Sequence, residues 1–326
     1  MILQLDKMSG NTRPFTSDVI VFLLALTAIG CNPSSTGNEE TTSSEADIFP
    51  QELVSFVPYE KNPLFSGTGS DTWDNTIRER GYILREDDGY HLWYTGYREG
   101  TPDEMKYLGY ATSPDGIEWT RYPDNPIFMG SWVEDMMVLK HDNRYYMFAE
   151  GRGDIAHMLT SEDKINWEDH GTIVIKQTNG EPLASGPYGT PTAYREGEIW
   201  YLFYERNDEG IWVATSTDLK EWKNVQDEPV IEKGPEEYDK YGVALNQIVR
   251  HGDHYYAYYH GTPTEDWSVW NTDVAVSKDL IEWKKYPRNP ILEENKSSGI
   301  LVHDGAHYRL YTLHDEVNLH FFRGDR

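Results

Sequence analysis

Three observations predict an all-β fold arranged as a five-bladed β-propeller. First, residues 110–128, YATSPDGIEWTRYPDNPIF, return as recognisable copies at 158–175, 213–231 and 274–292. Each copy has a short β-prone run, a Ser-Asp turn, a Trp, and then an apolar pair that opens another strand. The Trp anchors at 119, 167, 222 and 283 lie 48, 55 and 61 residues apart, close to the spacing of propeller blades. Second, no long run of 3.6-residue periodicity lies between the anchors, which excludes a helical solenoid. Third, aromatics make up 13% of the chain, with 23 Tyr and 11 Trp, a composition suited to pleated surfaces and to sugar rings stacking on indoles.

At the N-terminus, residues 19–30 form an apolar run too short to span a bilayer, preceded by Lys7 and Arg13 and ending at Cys31, the one cysteine of the chain. This resembles a bacterial lipoprotein signal, in which the cysteine becomes the lipidated N-terminus. Residues 32–47 are a polar, low-complexity stretch with little to bury, expected to be a disordered tether. The expected location is the bacterial cell envelope, with the membrane met only through the lipid anchor. A single cysteine also excludes intrachain disulfides.

The propeller occupies residues 48–326. Residues 53–65, LVSFVPYEKNPLF, end like the NPIF and NPIL that close the blade repeats, so they read as an outer strand without a blade of their own. Hairpins follow at 81–96, 136–151, 192–206 and 248–261, each the first two strands of a blade; the first turns at Asp87, Asp88 and Gly89. Residues 300–322 supply three strand-like runs, and the N-terminal strand is expected to complete that fifth blade, closing the ring and protecting its edges.

First strands begin, and second strands end, around one central opening. Aligned on their Tyr-rich second strands, the blades place Glu150, Glu205 and His260 in equivalent positions 55 residues apart, with Thr95 in blade 1. The starts of the first strands carry Trp73-Asp74-Asn75, Trp132-Val133-Glu134-Asp135, Tyr188-Gly189-Thr190-Pro191 and Asn246-Gln247. A funnel ringed by carboxylates offers one acid to protonate a leaving oxygen and one carboxylate to activate water or attack an acetal carbon. The recurrent Asp115, Asp163, Asp218 and Asp279 instead suit turns beside the serine.

Over roughly residues 60–322 the chain resembles the five-bladed β-propeller glycoside hydrolases, the superfamily of families 43, 117 and 130 and, more distantly, 32. The resemblance rests on W-D followed by G-Y-I-L and H-L-W-Y-T-G, on G-Y-A-T-S-P-D-G-I-E-W with N-P-I-F, and on E-D-M-M-V. It implies that Asp74 is the base and Asp135 the second aspartate. Where family 43 shows Glu-x-Pro on the third blade this chain has Gly189-Thr190-Pro191, so the acid is assigned to Glu205, with Glu150 next in line. Inversion would set the Asp74 and Glu205 carboxyls about 6.5–9.5 Å apart. The substrate-binding candidates are Trp73 and Trp132 as stacking walls, with Glu134, Glu150, Arg152, Arg206, Asn246, Gln247, His260 and His314. The arginines either buffer charge or meet a uronate or sulfate. No histidine pair has zinc-site spacing, so no metal or cofactor is assigned, and calcium in the central channel is not readable from sequence.

The net charge of −26 argues against nucleic acid as a partner. The leading expectation is a secreted, lipid-anchored, exo-acting and inverting glycoside hydrolase on a plant or algal oligosaccharide. Two rivals stand beside it: a non-catalytic glycan-binding lipoprotein, and a phosphorylase like those of family 130, which would need a cationic pocket for phosphate.

Overall fold

Tyr-rich, alternating runs separated by Gly and Asx turns fold into five small sheets, antiparallel except where Ile175–Lys176 runs parallel to Trp222–Asn224. The computed structural model describes residues 48–78, 80–98, 100 and 105–325. Residues 1–47, on which the expected signal segment, the lipidated Cys31 and the tether fall, lie outside the described residues.

Blade 2 shows the plan: strands Glu134–His141, Arg144–Gly151, Ile155–Ser161 and Glu168–Thr172 pair in sequence order from the channel outward. Blade 3 runs Gly189–Glu196, Ile199–Glu205, Gly210–Ser216 and Trp222–Asn224, and blade 4 runs Gly242–His251, His254–Thr262, Asn271–Ser277 and Trp283–Lys285. The innermost strands touch in ring order, and blade 5's first strand (Gly299–His303) meets that of blade 1 (Tyr82–Glu86).

The repeated Trp works between blades. Trp167, Trp222 and Trp283 stand edge-on to Trp93, Phe148 and Phe203, second-strand residues of the preceding blade, with centroids 6.2, 6.1 and 6.1 Å apart. Their indole N–H groups donate to the carbonyls of Lys164, Leu219 and Leu280. One side chain thereby joins two sheets and satisfies its own polar end. Asp115, Asp163, Asp218 and Asp279 serve the turns as expected, each accepting from the serine two residues earlier and from the amides two and three residues later.

The Asn-Pro ends of the repeats also have a mechanical role. Asn125 and Asn289 clamp the backbone N–H and C=O of Tyr110 and Val274. Asn62 does the same to Leu319 in blade 5, which explains why an NPLF occurs ahead of the first blade. Phe56–Pro58 pairs with Asn318–Phe322 as that blade's outer strand, and Phe65 bridges Val317. The N-terminal segment thus closes the ring. Deleting residues 48–65 is expected to expose the blade-5 edge and the buried Phe49, Leu53 and Phe56 contacts; a truncated chain that melts at the full-length temperature would refute closure by this strand.

Blade 1 departs from the expected layout. Its first strand is split into Thr76–Ile77 and Tyr82–Glu86, both paired to Gly89–Tyr97. Between them Arg80 reaches the inner strands of blades 2 to 4 and Arg78 lines the central cavity, so Asp74 lies upstream of the residues that reach the channel.

Candidate active site

β-Bulges aim the central side chains. In blade 2, Glu134 pairs with Glu150 and Met137 with Phe148, so Asp135 and Met136 together face Ala149. In blade 3, Thr190 and Pro191 together face Tyr204, and in blade 4 Asn246 is the extra residue between paired Leu245 and Gln247. Asp135 and Thr190 both have φ 44°, rare for residues with a Cβ and a form of strain found at sites that need one side chain re-aimed.

Arg80, on the blade-1 excursion and fully buried, ties these bulges together. Its guanidinium donates to the carbonyls of Asp135, Pro191, Leu245 and Asn246 and, at 2.7 Å, to Thr192 Oγ1, while its amide donates to Asp135 Oδ1 at 3.1 Å. Burial lowers its pKa to about 10, which leaves it a cation at neutral pH beneath the carboxylates.

Above it lies a cavity of about 530 Å³. Seven carboxylates line it, Glu134, Asp135, Glu150, Asp154, Glu205, Asp208 and Asp266, together with Arg78, Lys106, His260, His314, Trp267 and Trp270. Gly189 explains how the two glutamates approach each other: a Cβ there would sit 2.2 Å from a Glu150 oxygen and 2.6 Å from a Glu205 oxygen. The glycine that replaces the family-43 glutamate therefore makes room for carboxylates from two neighbouring blades. Glu205 accepts from the amides of Gly189 at 3.0 Å and Asp208 at 2.7 Å, and Glu150 accepts from the Thr190 amide at 2.8 Å.

Crowded, buried carboxylates resist ionisation. Burial, then the charges of Asp135 and Glu134, push Glu150 well above the usual range. Burial also raises Asp135, against the pull of Arg80, and raises Glu205, against its two amide donors. Asp208 is pushed up to about 8 by burial and the neighbouring Glu205. Burial raises Glu134 despite Lys106 at 3.3 Å and the Trp132 indole N–H at 2.6 Å. His260, its Nδ1 2.7 Å from Asn246 Oδ1, is held down to about 3 by burial, and burial also lowers His314; both are neutral imidazoles at pH 7.

The expected residues thus separate. Asp135, Glu134, Glu150, Glu205, His260 and His314 line the cavity. Asp74 does not: it is buried elsewhere in blade 1, accepting from Tyr94 Oη at 3.0 Å, Thr72 Oγ1 at 3.1 Å and Arg121 Nε at 2.9 Å. Those bonds make it a bracket between strands, outside the cavity that Glu205 lines. Trp73 stacks on Tyr94 at 5.8 Å, over Gly96 and Gly109, and is a packing residue. Trp132 and Arg152, 5.0 Å from guanidinium to ring, line an adjacent hollow of about 330 Å³. Arg206 holds the carbonyls of Ala184 and Pro187. Gln247 bonds the Leu301 backbone on both sides and Tyr82 Oη, so it joins blades beneath the cavity, and Asn246 orients His260.

Sequence reasoning missed Asp154, Asp208, Asp266, Lys106, Trp267 and Trp270. One signal was present: an aspartate follows each glutamate within four residues, at Glu150/Asp154 and Glu205/Asp208. Among the described residues, Glu86, Asp88 and His91 stand within reach of a common metal ion. Lys164 Nζ already sits among them, at 2.7, 3.0 and 3.1 Å.

No protein-family model matches the chain. In sequence it is similar to a beta-1,2-mannobiose phosphorylase of Thermoanaerobacter sp. (strain X514), 27% identical over 255 residues that cover 71% of this chain and 80% of the relative. In structure it is similar to a candidate glycoside hydrolase of Parabacteroides distasonis ATCC 8503, with TM-score 0.69 and 16% identity, over 86% of this chain and 98% of that one. It is also similar to a structure from the family 130 mannoside phosphorylases, a family described as containing hydrolases that target β-1,2-mannosidic linkages in Candida mannan. That match has TM-score 0.63 and 15% identity, over 83% and 94% of the two chains. The resemblance to the five-bladed β-propeller glycoside hydrolases therefore holds in sequence and in fold.

Proposed function

We propose that this chain hydrolyses a mannosidic linkage, acting from a chain end with inversion, and that it does so in the cell envelope, anchored through Cys31. The observation that carries the hydrolytic reading is the charge of the cavity. Even with protons on Glu150 and Asp208, the five other carboxylates that line it outnumber the cations, Arg78, Lys106 and the Arg80 guanidinium beneath, and Lys106 is already paired with Glu134. Phosphorolysis must bring a phosphate dianion to the scissile bond, and a site of this sign repels one, whereas neutral water enters freely. The mannosidic part rests on the sequence similarity to the mannobiose phosphorylase.

In this reading Glu150 protonates the leaving oxygen and Asp135 activates water. Burial and the charges of Asp135 and Glu134 favour the protonated form of Glu150. Asp135 has Arg80 beside it to stabilise its anion. Glu205, accepting two amide hydrogen bonds, completes a cluster that keeps a proton on Glu150.

Purified protein incubated with β-1,2-mannobiose should release mannose at a rate indifferent to inorganic phosphate. The first-formed anomer, followed by proton NMR, should be inverted. Phosphate-dependent appearance of mannose 1-phosphate would replace hydrolysis with the phosphorylase reading. Binding without turnover would favour the glycan-binding one.

A further inference from the structure

The segment 263–270, between the second and third strands of blade 4, carries an indole that the protein does not use for itself. Among the described residues, the large apolar side chains that stand exposed are Met129, Val174, Ile199, Val225 and Trp267; of these the one aromatic is Trp267, 47% exposed, and it is also the one that lines the acidic cavity. Its backbone is at φ 56°, unfavourable for a bulky residue. That conformation is held by a set of local bonds: the Trp267 amide to Thr264 O at 3.1 Å, the Ser268 amide to Asp266 Oδ1 at 3.2 Å, and the Val269 amide to Thr264 Oγ1 at 3.3 Å. The Trp270 amide is fixed from outside the loop by Asn295 Oδ1 at 2.9 Å. Trp270 in turn stands edge-on to His260, centroids 4.9 Å apart, and Trp267 tilts beside it at 6.4 Å.

This arrangement opposes stability in the free protein. An ordered loop in a strained conformation keeps an indole in water, giving up the burial that would favour it. Strain of this kind persists at binding sites, where a preformed surface lowers the entropy lost when ligand is held. The polarised C–H face of a pyranose stacks on an indole, and hydroxyls around the ring find acceptors in Asp266 and His260 at the same cavity.

We propose that Trp267 is a stacking platform for a sugar ring one or more units away from the scissile bond, so that the protein prefers oligosaccharides longer than the disaccharide. This rests on the glycoside-cleaving reading above. Trp270 acts as a positioning residue, bracing Trp267 against His260.

The test compares initial rates of the full-length wild type, Trp267→Ala and Trp267→Phe on β-1,2-linked manno-oligosaccharides of two to five units, with melting temperatures confirming that each variant is folded. The expected result is a wild-type KM that falls with length, a Trp267→Ala KM raised about tenfold on the four-unit substrate but much less on the disaccharide, and recovery of most of the length dependence in Trp267→Phe; stacking of this strength corresponds to about a tenfold change. Equal KM shifts at every length, a Trp267→Ala variant like wild type, or a wild type indifferent to length would each overturn the subsite while leaving hydrolysis standing. A wild type that cleaves none of these oligosaccharides would remove the glycosidase reading and the subsite with it.

Discussion

Asp135→Asn is expected to lower kcat by about 10²–10⁴-fold, the usual share of a general acid or base, with the protein still folded. The amide keeps the shape and can still accept the Arg80 amide hydrogen bond, but it cannot take a proton from water. Small anions such as azide should restore turnover to this variant by replacing water as the nucleophile. Glu150→Gln should lose comparably on natural glycosides yet retain much more on aryl glycosides whose leaving group needs no proton. If the two phenotypes are exchanged, the acid and base roles exchange; if Asp135→Asn turns over like wild type, the site assignment is wrong. The pH profile adds a sign. The proton on Glu150 is required, so activity should fall on the alkaline side, as pH rises through a pKa that burial and the Asp135 and Glu134 carboxylates have raised.

The propeller was legible because its joints repeat in sequence. The Ser-Asp turn, the Trp that meets the preceding blade and the Asn that clamps a third strand recur in register with the sheet, and the NPLF ending of residues 53–65, beside three strand-like runs at 300–322, placed that segment in the last blade. The same periodicity brought Glu150, Glu205 and His260 into equivalent positions, because each ends a second strand. It failed at blade 1, where the first strand breaks between Ile77 and Tyr82 and a count from the Trp-Asp pair stops short of the channel. Asp74 follows a Trp and lies in a carboxylate-rich chain, and nothing local distinguishes a bracket for Tyr94 and Arg121 from a base. Trp267 escaped for a related reason: its connection between strands has no counterpart in the other blades, and its place around the cavity is fixed by the ring as a whole; Asp154 and Asp208, each within four residues of a periodic glutamate, could have been found. Gly189 could be read only as a missing glutamate until the two carboxylates that crowd it were placed.

The largest stability effect should come from Arg80. Arg80→Met removes a fully buried guanidinium that satisfies four carbonyls and a hydroxyl from three blades and faces a buried carboxylate. Taking one partner from such a buried ionic network destabilises by about 3–5 kcal/mol, because the groups left behind have neither water nor a donor. In a domain of this size that corresponds to a fall in Tm of roughly 6–20 °C. Arg80→Lys should recover little, since a single ammonium cannot reach carbonyls spread over Asp135, Pro191, Leu245 and Asn246 in the way a planar fork does. The loss should also reach chemistry: without the cation beneath it, Asp135 ionises less readily and its bulge is freed, so any Arg80→Met protein that folds should show a lower kcat, with its acidic limb moved to higher pH. Melting within about 2 °C of wild type would mean that the bulge carbonyls find water when the guanidinium is gone, and that the ring is held by the Trp joints and the N-terminal strand alone.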